Sequence, residues 1–372
     1  MKIAKVSDLV GIINRFAPFA HAEEWDNVGL QVGDPAAPVS RIAVALDGER
    51  AAVEFAIAQG CSLLLTHHPF IFSPLKKISL ADPAGSLVAL ALRHDLAVIS
   101  LHTNYDVAAG GMNDLLAERL GVVRCGHLRT AGWDELAKLV VYVPTGHEET
   151  LLEALFPHCG VVGNYRDCSF RTAGTGTFRP LEGAQPFIGE VGKREAAQES
   201  RLELLVRRDS AAAAVAALHK AHPYEEPAYD LVPLMNRGAA RGLGRIGYLE
   251  RETTLEQFAR EVAERLGCGS LRYAGAPDRR VRKVALCGGS GMSLLREAHR
   301  QGADVIVTGD AKYHEARSAE ELGIAIVDAG HFATESLMVE GVAEVMRREL
   351  SAGGYAGEVI PWTDGQDPFR SI

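Results

Sequence analysis

The chain has 372 residues, 47% of them apolar and 23% charged, with 39 Lys plus Arg against 48 Asp plus Glu. That length suits two domains, three at most, and the composition excludes a disordered chain. A net charge of −9 argues against nucleic acid as the main partner, because such binding leans on clustered cations. No run approaches the ~20 continuous apolar residues of a membrane span.

Met1–Phe19 has the outline of a signal peptide, but Asn14 and Arg15 interrupt its apolar stretch. Ser7-Asp8 reads instead as a helix cap before Leu9–Phe16, with Pro18 as the stop. The six cysteines are scattered, with no C-x-x-C pair. They read as reduced thiols, so the cytoplasm is the expected compartment.

From Arg41 the pattern alternates strand and helix. Strands are expected at Arg41–Leu46, Ser62–Leu65 and Leu96–Leu101, and helices at Ala51–Ala58, Ala84–Arg93 and Met112–Leu120. Short apolar strands alternating with helices indicate parallel β-α-β units. The rhythm returns after Thr254, which caps a helix to Leu266. Strands follow at Val281–Leu286, Ala303–Val307 and Ile324–Val327, with helices at Met292–Arg300 and from His331 to about Leu350.

The middle differs. Strands Leu139–Val143 and Leu202–Val206, helices Glu148–Phe156 and Ala211–His219, and a Gly-rich stretch, Gly174–Gly192, suggest β-α-β-β-α-β. The expected fold class is α/β. Residues 1–128 and 243–372 form a discontinuous domain with parallel-rich sheets, and residues 129–242 form an inserted ferredoxin-like domain.

Ligands of parallel sheets bind outside the carboxyl ends of the strands. Asp47, His67, His68, His102, Asp106, Gly288–Gly291, Asp310, His331 and, one helical turn on, Glu335 all fall there. Adjacent histidines on an extended strand point opposite ways, one to cap and one to pack. Beyond a strand end that alternation breaks, and His67 and His68 can converge. His331 and Glu335, four apart, share a helix face; Glu335 also suits a helix N-terminus with no cation present. Asp106 is equally a loop cap. Together these mixed N and O donors suit Zn, Mn or Fe rather than Ca. Five donors exceed the need of one open-sited ion and suggest two divalent ions with a bridging carboxylate and water.

Other motifs are weaker. Gly242-x-Gly244-x-x-Gly247 matches a dinucleotide fingerprint, but Tyr248-Leu249-Glu250 after it is strand-like, which favours a β-turn. Cys287-Gly288-Gly289-Ser290-Gly291 suits a phosphate or simply a tight strand-to-helix turn. His222-Pro223-Tyr224-Glu225-Glu226-Pro227 is a second polar site or, preferably, a rigid loop.

Glu24-Trp25-Asp26-Asn27-Val28-Gly29-Leu30, Leu65-Thr66-His67-His68-Pro69-Phe70, His102-Thr103-Asn104-Tyr105-Asp106 and Thr308-Gly309-Asp310-Ala311-Lys312-Tyr313-His314 carry a family resemblance. With Asp328-Ala329-Gly330-His331 leading to Glu335, the chain resembles the NIF-three-like family of dinuclear metal-centre proteins, or GTP cyclohydrolase 1 type 2 homologues. The resemblance implies that His67, His68, Asp106, His331 and Glu335 hold two metal ions. It also implies two related α/β lobes, an insert related to PII and CutA proteins, and a toroidal homohexamer. Two functions follow. One is a metal-dependent hydrolase acting on a nucleotide or related phosphorylated or heterocyclic compound, with His102 and His314 as proton shuttles or as residues orienting the ligands. The other is a non-catalytic metal-binding or regulatory oligomer whose insert senses a small ligand.

Overall fold

The computed structural model describes residues 2–370. The chain divides into two compact units, one of residues 1–131 and 241–372, the other of residues 132–240. Strands Val122–Pro144 and Tyr229–Thr254 run from the one into the other.

Two mixed sheets organise the larger unit. In the first, Glu358–Pro361, Arg41–Ala45, Leu63–Thr66 and Ala97–Ser100 lie parallel in that order, and Gly29–Val32 closes the edge antiparallel. In the second, Arg280–Leu286, Val305–Thr308 and Ala325–Asp328 are parallel neighbours. Arg272–Ala274 and Tyr229–Thr254 flank them antiparallel. The four residues of Leu63–Thr66, Ala97–Ser100, Val305–Thr308 and Ala325–Asp328 are all buried. Strands covered on both faces need continuous apolar runs rather than alternation, as these have. One apolar core takes residues from both sheets (Val44, Leu65 and Ile99; Val305 and Val307) together with helices Met112–Leu120, Leu255–Leu266 and Leu337–Ala352.

Register decides where the polar residues emerge. Ala45, Thr66 and Ser100 are cross-strand neighbours, and so are Thr308 and Asp328. The residues just beyond them therefore leave their sheets at matching heights. Asp47, His67, His68 and His102 follow the first set; Asp310 and His331 follow the second.

Several elements differ from expectation. The first helix spans Val6–Phe16, and the Asp8 carboxylate accepts from the Lys5 N–H at its start. Lys2–Lys5 before it is a strand paired with Tyr355–Ala356 and Pro38–Val39. Gly242, Gly244 and Gly247 lie within strand Tyr229–Thr254, neither in a turn nor in a pyrophosphate loop. A Cβ at Gly242 would sit 2.4 Å from the Arg129 carbonyl oxygen, and one at Gly247 2.6 Å from that of Val123. Those glycines let two backbones close up. Among the described residues no helix is long and apolar enough to cross a membrane, and all six cysteines are unpaired.

Arg245, from the same glycine-rich run, is buried and spends its whole guanidinium on fixed acceptors. Nε and Nη2 donate to Asp114 at 2.5 and 2.8 Å, Nη1 to the Gly242 and Gly244 carbonyls, and Nη2 also to that of Ala108. Burial pushes the Asp114 carboxyl up, but the hydrogen bonds and charge of Arg245 outweigh it and hold it below its ordinary value. Asp114→Asn leaves a buried cation short of its counter-charge. Discounted for the partial exposure of Asp114, that should cost about 2 kcal/mol at neutral pH. A carboxyl with a lowered folded pKa stabilises above its unfolded value of about 4, and that stability is lost as pH falls through the folded pKa. Urea melts of wild type and Asp114→Asn should therefore differ at pH 7 and converge in acid. Equal stability at pH 7 would contradict the assignment.

Candidate metal centre

His67 follows a fully buried strand and is itself inaccessible to solvent. Its Nδ1 lies 2.8 Å from the Leu101 carbonyl oxygen. A carbonyl can only accept, so Nδ1 carries the proton and Nε2 presents a lone pair. That Nε2 has no hydrogen-bond partner; it stands 3.7 Å from Asp106 Oδ1 and 3.7 Å from Glu335 Oε1. Asp106 Oδ1 is likewise buried and unpartnered.

The other imidazoles repeat this arrangement. His68 Nδ1 meets Asp47 at 2.6 Å, His331 Nδ1 meets Asp310 at 2.7 Å, and His102 Nδ1 meets Asp26 at 2.8 Å. Each Nε2 is left for the interior of the site. His68 Nε2 lies 3.0 Å from Glu335 Oε2 and 3.3 Å from His331 Nε2, and His331 Nε2 lies 2.8 Å from Glu335 Oε2. Imidazoles oriented through Nδ1 by carboxylates or carbonyls, with Nε2 converging, are the usual arrangement around a protein-bound metal.

Helix His331–Glu335 begins after Gly330 and places its first and last residues on one side. Glu335 fits because position 289 is glycine. A Cβ there would stand 2.2 Å from Glu335 Oε1, and φ at that position is +58°. The Gly288–Gly291 turn thus makes room for a carboxylate, and its amides are engaged within the protein: Gly289 N–H on Thr334, Gly291 N–H on Thr308.

The electrostatics follow from burial of unlike groups. Burial raises Asp106 to about 6 against the pull of His67. Burial depresses His68, but Asp47 and Glu335 override it and lift the ring to about 10. The Glu335 hydrogen bond lifts His331 to about 9. Glu335 is pushed up by burial, and the surrounding imidazoles hold it well below the ordinary range.

Two overlapping groups can each hold a metal ion: His67, His68 and His102, and His68, His331 and Glu335. Asp106 sits at the first group through His67. The orphaned Nε2 and Oδ1 atoms fit a divalent cation better than any internal hydrogen bond, so the donor set suits the metal. His102, expected as a proton shuttle or orienting residue, stands among the potential ligands. His314 does not join them: it is exposed on helix Tyr313–Leu322, edge-on to Tyr313. Asp26 was missed as a site residue. Its only trace in the sequence is the Glu24–Leu30 motif, because its partner lies 76 residues away.

A methyl group at position 289 must displace Glu335. Gly289→Ala should therefore bind Zn or Mn about tenfold more weakly or worse, since a displaced ligand costs at least as much as a lost orienting partner. Gly11→Ala, where nothing lies within 4 Å, should leave metal affinity unchanged. Competition with a chromogenic chelator measures both; equal affinity of Gly289→Ala and wild type would remove Glu335 from the site.

The model of the Duf34/NIF3 (NGG1p interacting factor 3) family matches residues 4–368. The GTP cyclohydrolase 1 type 2 homologue of Halalkalibacterium halodurans is 42% identical over 373 residues, covering all of both chains. That of Bacillus subtilis is 44% identical over 365 residues, 98% of each chain. The crystal structure of a Bacillus cereus protein related to NIF3 aligns over both whole chains at 39% identity with a TM-score of 0.89. A Staphylococcus aureus protein of known structure aligns over both whole chains at 28% identity and 0.73. By sequence over its whole length, and by fold, the chain belongs to the Duf34/NIF3 family.

Proposed function

We propose that the protein is a metal-dependent hydrolase acting on a nucleotide or a related phosphorylated or heterocyclic compound. The observation that carries this reading is the pair of buried, unpartnered atoms, His67 Nε2 and Asp106 Oδ1, facing Glu335. We assign His67, His68, Asp106, His331 and Glu335 as ligands of two divalent ions, Zn, Mn or Fe, with His102 beside them. Bound there, such ions supply Lewis acidity and a water of lowered pKa. Asp47, Asp26 and Asp310 keep the imidazoles in the tautomer that presents Nε2. Glu335, which faces both His67 and the His68–His331 pair, would supply negative charge to the bound ions.

A cavity of about 1130 Å³ opens at His68 and His331, ample for a nucleotide-sized ligand. Arg272 and Arg370 stand in its wall beside Phe332 and Phe369. Arg272 is engaged by Asp328, and Asp47, Asp310 and Asp367 share the wall; the phosphorylated class is supported by the name shared by the curated relatives, which agrees with a nucleotide.

The finer features of the fold belong to the same reading. In the smaller unit the elements run β-α-β-β-α-β, and the sheet order places the last strand beside the first and the third beside the first. This supports a ferredoxin-like insert. Unpaired cysteines suit a reducing cytoplasm, and the family resemblance supports a toroidal homohexamer. That the smaller unit has its own apolar core and its own cavity favours one further role, a regulatory function for the insert.

The test is a metal-loaded screen against nucleotides, cyclic nucleotides and simple phosphoesters in heavy-oxygen water, with His67→Ala protein as the blank. Label should enter the product directly, and both metal stripping and His67→Ala should cut turnover about 100-fold or more. Full activity in stripped protein, full activity in the blank, or a trapped covalent enzyme intermediate would refute the hydrolase.

A further inference from the structure

The smaller unit contains a buried carboxylate that the metal centre does not use. Glu199 lies on strand Glu195–Arg207, whose Leu202, Leu204 and Val206 face the core formed with helices Glu148–Leu155 and Ala211–Ala221. By strand alternation Glu199 faces the opposite side of the sheet, where a carboxylate would ordinarily be solvated. It is nevertheless only 8% exposed. Tyr224 Oη donates to its Oε1 at 3.0 Å, and among the described residues no donor reaches Oε2. The neighbouring strand makes room for it: a Cβ at Gly176 would stand 2.0 Å from Glu199 Oε2.

This carboxylate lines a cavity of about 500 Å³, within the usual range for small-molecule sites. Phe178 and Phe187 flank Tyr224 with ring centroids 5.9 and 6.2 Å from it. His222 holds the Tyr224 turn in place: its Nε2 meets the Tyr142 carbonyl, and its Nδ1 accepts the Tyr224 N–H. The charged residues of the wall are Glu199, Glu225 and Glu226 against one cation, Arg179. The His222–Pro227 segment, which from sequence reads preferably as a rigid loop, is thus one wall of a cavity.

We propose that this cavity binds a small organic cation with a flat, N–H-bearing head of the amidinium or guanidinium type. Aromatic faces attract such a cation, and a planar one stacks on them. The free Glu199 oxygen accepts its N–H in a charge-assisted hydrogen bond. An anionic ligand would meet a buried like charge, and a purely apolar one would leave Oε2 desolvated and unpaired. The site is separate from the metal centre and does not depend on the hydrolase reading.

Benzamidine is the probe, with benzamide as its neutral counterpart, titrated calorimetrically into the full-length protein. Benzamidine should bind one site per chain, at least about tenfold more tightly than benzamide, because only the cation makes the charge-assisted bond. Glu199→Gln keeps size and the Tyr224 contact, and should abolish that preference. Phe187→Ala removes a half-exposed ring of the wall; it should weaken binding without endangering the fold, so the proposal stays testable if Glu199→Gln is unstable. No saturable binding, equal affinity for the neutral amide, or affinity unchanged in both variants would overturn the proposal. So would binding that survives Glu199→Gln and is lost in Glu335→Gln, which would put the probe at the metal centre.

Discussion

An imidazole whose Nδ1 proton is committed to a fixed acceptor has one nitrogen left, Nε2, to take up either a proton or a metal ion. In this protein His67, His68, His102 and His331 are all held in that way, by Leu101, Asp47, Asp26 and Asp310. Four Nε2 atoms and the carboxylates of Asp106 and Glu335 then face a common space. Hydrogen bonds among them cannot satisfy all of these atoms, and burial makes an unsatisfied polar atom costly. The lifted imidazoles and the raised Asp106 carboxyl are two expressions of the same concentration of charge. A divalent cation relieves it directly, because it takes the place of the Nε2 protons and cancels carboxylate charge together.

Those groups come from distant parts of the chain, and the register of the parallel strands brings them to one place. Parallel strands send consecutive loops out at the same edge, so two sheets in one unit can deliver Asp47, His67 and His102 from one side and Asp310 and His331 from the other. Glycine supplies the remaining clearance, at position 289 beside Glu335 and at position 309, where a Cβ would fall 2.6 Å from the His331 nitrogen. The construction rests on backbone register and small residues more than on side-chain flexibility, which suits a centre that has to hold its geometry.

Much of this could be read from the chain beforehand, for a physical reason. Strands buried on both faces are written as uninterrupted apolar runs, so Leu63–Leu65 and Val305–Val307 stand out, and the polar residues just beyond them become conspicuous. What escaped notice lacks such a pattern. Gly29–Val32 is four residues long, carries Gln31 and sits at a sheet edge. Tyr229–Thr254 is a 26-residue strand broken up in composition by Pro233 and several glycines, which local propensity counts against a strand. The pairing of Asp26 with His102 and the burial of Glu199 under Tyr224 are tertiary facts with no periodic trace. His314, by contrast, has the motif around it and lies exposed on helix Tyr313–Leu322.

The most direct test of the metal centre is anomalous diffraction from crystals soaked in Zn or Mn. The proposed two-ion centre predicts anomalous peaks within bonding distance of His67 Nε2 and Asp106 on one side and of His68 Nε2, His331 Nε2 and Glu335 on the other, about 3.5–4 Å apart. Metal peaks confined to surface carboxylates, with His67 Nε2 and Asp106 Oδ1 still unpartnered, would contradict it.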